Sequence, residues 1–389
     1  MPKNSETAVL DVGSGKIRAA IAVKNSKISV EVRGIGEVDY AGYRDGKFFN
    51  TENLKEAVLT AVSKAEASAG SKIKKLFVGV PAEFTYSVCR EPVIVFERET
   101  KITNDEIAAL LKKNDRFDND DEFITINRSP VFFLLDDDSR RLIEPRGLTA
   151  GKIKALISYV RCQNDFIGEI GSILEGRGIE LEFTSSVLAE VLYLFDPEER
   201  DRYVLFADAG YISSEVAFLR GDGLLHLASF SMGGAHIAAD VSEIFQIPFN
   251  EAENIVSRLD LNNLDEKVNI KTESGEISGK DMRNVVTARL AEFADVFKIA
   301  VKSSLTDCPV YVTMHLSGGG LSYLKGAKEF LAEALGREVK IIAPNLPQYN
   351  KPHYSALFGL IDTCGSLDGE RARKTKKGFF GRLFGKKTD

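Results

Sequence analysis

The sequence predicts an α/β fold duplicated into two lobes, and three glycine-rich turns are the basis of that prediction. The first turn, residues 11–16 (Asp-Val-Gly-Ser-Gly-Lys), lies between two apolar runs. The second turn, residues 208–214, repeats the pattern near the middle of the chain, where an apolar strand ends in an aspartate and a glycine turn with a hydroxyl follows. The third turn, residues 316–320 (Leu-Ser-Gly-Gly-Gly), follows a strand-like run. One aspartate–glycine turn in each half indicates two similar lobes that hold a phosphate chain between them.

The first half of the chain predicts a mixture of strands and helices. Residues 7–40 contain short runs rich in valine, isoleucine and alanine with glycine or polar breaks, which is typical of strands. Residues 54–69 place their apolar side chains on one face of a helix. Residues 83–165 behave as a separate module, for which we predict four strands and two helices, at 104–113 and 151–160.

The second half is richer in helices. The predicted elements are a strand at 310–314, helices at 235–245, 251–259, 282–301, 321–335 and 354–361, and a polar interval at 260–280. We therefore divide the chain into five parts: a first core subdomain (1–82 and 166–200), an inserted subdomain (83–165), a second core subdomain (201–240 and 305–364), a helical subdomain (241–304), and a flexible linker with an amphipathic helix (365–389).

Composition and charge argue against several classes of protein. The net charge is −6, yet residues 371–387 hold eight basic side chains and no acidic one, so the remaining chain is strongly acidic. An acidic body argues against binding to nucleic acid, and a basic tail indicates a partner that the tail alone meets. No apolar run approaches the roughly 18–20 residues that span a membrane. The first residues do not resemble a secretory signal, and the four cysteines form no C-x-x-C pair. We expect a cytoplasmic protein with free thiols.

The residue types in the first two turns suit a phosphate chain with a magnesium ion. Glycine leaves backbone N–H groups free to face oxyanions, while serine adds a hydroxyl and lysine a positive charge. The candidate phosphate ligands are Gly13, Ser14, Gly15, Lys16, Gly210 and Ser213. Carboxylates are poor phosphate ligands, so we expect Asp11 and Asp208 to hold the water molecules of a hydrated Mg²⁺.

The order of these motifs resembles the actin-like ATPase superfamily, and within it the bacterial cell-division family FtsA. Residues 231–240, 251–255 and 353–360 are similar to further FtsA segments, and the module at 83–165 resembles the extra subdomain of that family. The resemblance implies an actin-like, duplicated ribonuclease-H-like fold with two lobes and an FtsA-type extra subdomain, which binds ATP with Mg²⁺. Asp208 becomes the candidate catalytic residue. Further candidate ATP ligands on this resemblance are Gly233, Gly234, Glu253, Gly318, Gly319 and Gly320.

The second turn departs from the FtsA pattern. The family usually has a glycine where Ile212 stands and Thr-Thr-Asp at positions 213–215, where this chain has Ser-Ser-Glu. A β-branched residue disfavours the positive φ that such a turn often uses. Val256 also replaces the lysine that follows the Ala-Glu segment in FtsA. We therefore expect weak nucleotide binding and, at most, a weak ATPase activity.

The C-terminal segment predicts a membrane anchor. Residues 378–387 place four large apolar side chains on one sector of a helix, with basic side chains beside them. Such a helix binds an anionic membrane surface reversibly. The candidate membrane residues are Phe379, Phe380, Arg382, Leu383, Phe384, Lys386 and Lys387. FtsA proteins end in a helix of this kind, which implies a peripheral location on the inner face of the cell membrane.

The resemblance implies an adaptor rather than a metabolic enzyme. FtsA proteins self-associate into polymers and dock the C-terminal peptide of FtsZ, and Arg289 lies where the family has a basic residue in the docking helix. One alternative is an FtsA-like scaffold of another membrane assembly, such as the pilus-type relative or a paralogue with a different filament partner. The other is a small-molecule kinase of the same superfamily, which would have no use for a Phe/Lys tail.

Overall fold

Two five-stranded sheets with the same strand order form the two lobes. The computed structural model describes residues 6–26, 29–113, 117, 121–136, 138–265, 267–302 and 308–366. The first-lobe sheet has the order Glu180–Ser185, Lys75–Val80, Glu6–Val12, Lys16–Ser26, Ser29–Asp39, and the second-lobe sheet has the order Val339–Ile341, Met314–Ser317, Val204–Ala209, Ser214–Arg220, Gly223–Phe230. In each sheet the last three strands form an antiparallel meander and the first two pair in parallel. The predicted duplication is confirmed.

The backbone of the first two turns shows the same duplication at the level of single hydrogen bonds. The Gly13 N–H donates to the Lys16 carbonyl at 3.1 Å, and the Gly210 N–H donates to the Ser213 carbonyl at 3.0 Å. Each turn therefore closes the same type of hairpin between the first two strands of its sheet. The strand before each turn is almost wholly buried, as expected for the centre of a sheet covered on both faces.

The helices cover the faces of these sheets. In the described part of the chain they are Thr51–Ala69, Asn104–Lys113, Asn164–Leu174, Ser186–Leu194, Pro197–Arg200, Gly234–Phe245, Phe249–Arg258, Gly279–Lys302, Ala327–Leu335 and residues 355–366. Three of them, with the hairpin Asn269–Thr272/Gly275–Ser278, build the helical part of the second lobe. That hairpin lies in the interval predicted to be merely polar. Phe293 and Phe297 of the longest helix are fully buried against Phe230.

The module at 83–165 is an antiparallel sheet with one helix. Its strands are Thr85–Arg90, Val93–Lys101, Phe123–Leu135 and Thr149–Gln163. The predicted helix at 151–160 is wrong, because these residues form the central strand, which pairs with all three others. Alternate residues of that strand, Ile153, Ala155 and Ile157, are fully buried, which is the period of a strand and not of a helix.

The limits of one strand and one helix near the third turn also differ from the prediction. The strand before it is Met314–Ser317 rather than 310–314, and the following helix begins at Ala327 rather than 321. Gly326 stops the helix from starting earlier, because it has φ = 92°, a left-handed conformation, at the N-cap. The third turn is therefore followed by an irregular segment that carries side chains towards the cleft between the lobes.

The helical residues 355–366 return the chain from the second lobe to the first. Phe358 and Ile361 pack against Phe77 of the first-lobe sheet. Lys24 Nζ lies 2.7 Å from the Asp362 carboxylate and fixes the end of this helix. The candidate membrane residues 379–387 lie outside the described residues, and the predicted boundaries of the five parts remain a proposal.

Candidate functional site

A cleft of about 590 Å³ lies between the two lobes, where the three glycine-rich turns meet. The candidate residues that line it are Asp11, Gly13, Ser14, Gly15, Lys16, Asp208, Gly210, Ser213, Glu253, Gly318 and Gly319. Residues from chain positions more than 300 apart thus come together, as the order of the motifs predicts. Arg289 and residues Gly233, Gly234 and Gly320 are not among the lining residues.

The glycines that do not face the cleft hold the second turn from behind. The Gly234 N–H donates to the Gly210 carbonyl at 2.9 Å, and the Gly320 N–H donates to the Ala209 carbonyl at 2.7 Å. A Cβ atom on Gly233 would lie 2.3 Å from the Tyr211 carbonyl oxygen, so only glycine fits there. These three glycines position the turn by close backbone packing.

The first and second turns contact each other directly through Ser14. Its Oγ accepts hydrogen bonds from the backbone N–H groups of Ile212, at 3.1 Å, and Ser213, at 3.3 Å. Ser14 is buried. Ile212 does not have a positive φ. This β-branched residue therefore fits the turn without the left-handed conformation that the sequence argument assumed. The backbone of the turn is therefore unstrained at this position.

Four carboxyl groups converge at the floor of the cleft. Asp11 and Glu190 are buried, and Asp208 and Glu215 lie beside them. Burial, and next the charge of Asp11, raises the pKa of Asp208 to about 6. Burial, and next the charge of Asp208, raises the pKa of Glu215 to about 8. Burial likewise raises the pKa of Asp11, and raises that of Glu190 well above its usual value.

The positive charge in the cleft does not balance these acids. Arg18 Nη1 lies 3.4 Å from Asp11 Oδ2, and its Nε lies 3.6 Å from Glu37. Lys16 pairs at 3.0 Å with the exposed Asp39 at the rim. Burial, and next the charge of Arg18, lowers the pKa of His353 to about 4, so this residue is neutral at pH 7. Since acids outnumber bases, the floor of the cleft favours a cation.

The cleft also contains hydroxyl groups suited to an oxygen-rich ligand. The Ser213 and Ser186 Oγ atoms are buried and have no hydrogen-bond partner among the described residues. A buried hydroxyl without a partner is costly, so a ligand oxygen or a water is expected beside it. In the same part of the chain, no group of three or more His, Cys, Asp or Glu side chains is arranged to hold a metal directly.

The residues of the site that sequence reasoning missed include Arg18, Glu190, Glu215 and Tyr211. Glu190 accepts a hydrogen bond from Ser317 Oγ at 2.9 Å and also bonds Asp208. A signal for it exists, because it is the single charged residue of the otherwise apolar helix Ser186–Leu194. Glu215 accepts the Ala82 N–H at 2.8 Å across the cleft. Arg18 carries no motif beyond its place two residues after the first turn.

Arg289 lies on the helix Gly279–Lys302, away from the cleft. Its guanidinium bonds both carboxylate oxygens of Asp240, at 2.6 and 2.7 Å, and also Glu292 at 2.5 Å. The hydrogen bond with Asp240 raises the pKa of Arg289 above its usual value. A peptide carboxylate would have to compete with these two acids, and the partner role of Arg289 stays a prediction.

Comparison with known proteins supports the motif-based resemblance. The family model described as "Cell division protein FtsA" matches residues 205–359, which include the second and third turns. The cell division protein FtsA of Staphylococcus epidermidis is 22% identical over 372 residues, which cover 92% of this chain and 79% of that protein. The predicted resemblance to FtsA is confirmed. The FtsA family match also contains Glu253 and Arg289, whereas the first turn lies before it.

Solved structures confirm the actin-like fold. The PilM–PilN type IV pilus biogenesis complex matches with a TM-score of 0.58 and 17% identity, over 93% of this chain and 99% of that chain. MreB5 of Spiroplasma citri bound to AMPPNP matches with a TM-score of 0.55 and 10% identity, over 95% of this chain and all of the other. The chain therefore has the two-lobed actin-like fold that its motifs predict. Among its described helices, none combines the length and the apolar character needed to cross a membrane.

Proposed function

We propose that this chain is an actin-like, ATP-binding membrane adaptor of bacterial cell division. It binds ATP with Mg²⁺ in the cleft, self-associates, docks FtsZ filaments and holds them at the inner face of the cell membrane through its C-terminal helix. The similarity to FtsA supports the division role. The meeting of three glycine-rich turns over a cluster of carboxyl groups is the observation that carries nucleotide binding.

The residues present fit a magnesium nucleotide. In the proposed complex, the backbone N–H groups and hydroxyls of the first two turns face the phosphate oxygen atoms of the nucleotide. The unpartnered Ser213 Oγ is one such donor. Asp11 and Asp208 would hold the waters of the metal ion, and Glu253, which also lines the cleft, would lie near the ribose. The metal would supply the positive charge that the floor of the cleft lacks. MreB5, which shares the fold, is described as bound to AMPPNP.

Hydrolysis is expected to be slow in this cleft. Glu190 is the buried carboxyl beside Asp208, and burial together with the Asp208 charge raises its pKa well above the usual value. The raised pKa favours the uncharged form of Glu190, and an uncharged carboxyl cannot accept a proton from an attacking water. We therefore propose that ATP serves mainly to join the lobes, as a ligand that binds the folded state.

The nucleotide proposal is tested by titrating the full chain with MgATP. We expect Asp208→Asn to weaken MgATP binding about ten- to hundredfold, the effect of losing one charge-assisted hydrogen bond. Without Mg²⁺, Asp208→Asn should bind ATP at least as tightly as wild type, because the lost carboxylate charge repels phosphate, and this serves as the control. Turnover should be slow in wild type. Rapid turnover abolished by Asp208→Asn would contradict the structural role of ATP, and the absence of any MgATP binding would contradict the proposal itself.

The tether is tested by flotation on anionic vesicles together with FtsZ. Full-length protein is expected to float and to carry FtsZ with it, because the tail supplies four large apolar side chains and several basic ones. A truncation to residues 1–366 should leave both proteins at the bottom. Leu383→Glu with Phe384→Glu is the matched control of full length, and it should fail in the same way. Flotation of the truncated chain would contradict the role of the tail.

A second candidate function is a scaffold for a pilus-type membrane assembly. The PilM–PilN complex matches this chain with a TM-score of 0.58, which favours it on fold alone. The flotation experiment separates the two candidates. Protein that floats on its own but leaves FtsZ at the bottom would favour the pilus-type scaffold or another filament partner. Arg289 belongs to the division proposal as the candidate contact for the acidic FtsZ peptide.

A further inference from the structure

We propose that Tyr211 and Ile212 form a clasp that joins the two lobes across the cleft and that an entering nucleotide must displace. Both residues belong to the second turn and stand on the second lobe, and both side chains contact glycines of the first lobe. The displacement part of this inference rests on the proposed nucleotide function, whereas the joining of the lobes does not.

Tyr211 spans the stretch between the predicted phosphate and ribose contacts. Its ring lies directly on the backbone of Gly15, because a Cβ atom there would be 2.4 Å from Tyr211 Cδ1. Its hydroxyl approaches Glu253, and after burial this interaction is the main cause that raises the pKa of Tyr211 to about 12. One side chain thus reaches from the first turn, which is proposed to hold phosphate, to the acid proposed to lie near the ribose. A nucleotide cannot contact both of these residues while the ring stays in place.

Ile212 makes the second half of the clasp. A Cβ atom on Gly42 would lie 2.8 Å from Ile212 Cδ1, so the end of this side chain rests against the first-lobe loop. The same glycine has φ = 86° and packs on the Ser14 carbonyl. The Ile212 N–H donates to Ser14 Oγ at 3.1 Å, so the side chain and the backbone of Ile212 both meet the first lobe.

The backbone behind the clasp is fixed, so its side chains cannot leave by a shift of the turn. The Ala235 N–H donates to the Tyr211 carbonyl at 2.9 Å, and Gly233 packs on that same carbonyl. Tyr211 can make way for a ligand only by rotating its side chain away from Gly15. The amides of Ile212 and Ser213, which face phosphate in the proposed complex, are engaged by Ser14 as long as the clasp is closed.

The clasp is tested by hydrogen exchange on the full chain in the absence of nucleotide. Tyr211→Gly with Ile212→Gly should speed amide exchange at least about tenfold in peptides that cover residues 11–16 and 40–46, which are unmutated and lie in the opposite lobe. Tyr311→Gly is the control, because Tyr311 is 84% exposed, and it should leave these peptides unchanged. Unchanged exchange in the double variant would overturn the clasp.

A second measurement, the affinity for MgATP, separates the clasp from the nucleotide proposal. The double variant should bind MgATP at least about tenfold more tightly than wild type, since no side chain has to be displaced. Equal affinity in the two proteins would overturn the displacement. Faster exchange without any MgATP binding would support the clasp and contradict the nucleotide proposal. If the double variant does not fold, Tyr211→Ala alone removes the ring that lies on Gly15 and should still raise both exchange and MgATP affinity, and no change in either would overturn the inference.

Discussion

Gly318→Ala is expected to lower the free energy of unfolding by about 2–4 kcal/mol and to abolish MgATP binding. Gly318 has φ = 84°, which costs an alanine about 1–2 kcal/mol. The added Cβ would also lie 2.0 Å from Asp208 Oδ1 and 2.4 Å from the Ala209 carbonyl oxygen. The Ala209 carbonyl belongs to the backbone and cannot rotate away, so the second turn has to move.

The loss of binding follows from which atoms are displaced. The Asp208 carboxylate is the proposed holder of the waters on the metal, and it also bonds Glu190. Ala209 accepts the Gly320 N–H that fixes the second turn from behind. A methyl group at position 318 therefore disturbs the metal-facing carboxylate and the position of the turn at the same time.

Gly319→Ala is the matched control for this prediction. The nearest atom to its added Cβ is His353 Cβ at 3.3 Å, and Gly319 has no positive φ. We expect a change of less than about 1 kcal/mol in urea unfolding and nearly unchanged MgATP binding. Equal behaviour of the two alanine variants would show that the close approach of the third turn to Asp208 does not decide the site.

The local parts of this fold could be predicted because each depends on few neighbouring residues. The first and second turns are hairpins closed by a single backbone hydrogen bond, and their sequence patterns are complete within seven residues. The helix Thr51–Ala69 has a regular apolar face and ends at Gly70, which takes the left-handed conformation. Such features appear in the sequence at the positions where they occur in the structure.

The strand Thr149–Gln163 could not be predicted in the same way. It is the central strand of its sheet and is buried on both faces along much of its second half, so its alternation fades into an apolar run. A run of ten apolar and basic residues suits a helix as well as a buried strand. Its partners lie up to 77 residues away, as Thr85 does from Cys162, and only their pairing decides between the two.

The missed residues of the site are missed for a related reason. The roles of Glu190 and Arg18 depend on their neighbours in the cleft, and those neighbours come from the other lobe or from distant strands. The glycine requirement at position 212 was inferred from the pattern of relatives. In this chain Ile212 meets Gly42, another glycine that leaves room for it, so the space is supplied from the opposite lobe.

In the absence of nucleotide, the wild-type protein is expected to lose stability, relative to Glu215→Gln, as pH rises from about 4 to 8. The pKa of Glu215 is raised from an ordinary 4.5 to about 8 in the folded protein. The folded state therefore binds this proton more tightly than the unfolded state, so stability is full below pH 4.5 and falls until about pH 8. Glutamine keeps an oxygen to accept the Ala82 N–H and carries no charge at any pH.

The difference between the two proteins isolates this one group. Burial lowers the pKa values of His226, His236, His315 and His353, and these residues make stability rise with pH instead, but they are common to both proteins. One pKa unit corresponds to about 1.36 kcal/mol. Glu215 lines the cleft and is partly exposed to water there, which reduces the effect of its charge on stability. We therefore expect Glu215→Gln to be about 2 kcal/mol more stable than wild type at pH 8.5 and equal to it at pH 4. Urea unfolding at the two pH values measures this directly.

The affinity for MgATP should depend on pH in the opposite sense to the stability. The carboxyl groups must be ionised to hold the hydrated metal, so binding releases protons and the affinity of wild type for MgATP should rise between pH 5 and 8. Calorimetry in buffers of different ionisation enthalpy counts the protons released. The pH dependence of stability and that of MgATP affinity have one cause, since the charges that destabilise the cleft at pH 8 are the charges that a metal ion neutralises. A wild-type stability that stays level with that of Glu215→Gln, together with an affinity independent of pH, would show that the four carboxyl groups do not share a single electrostatic site.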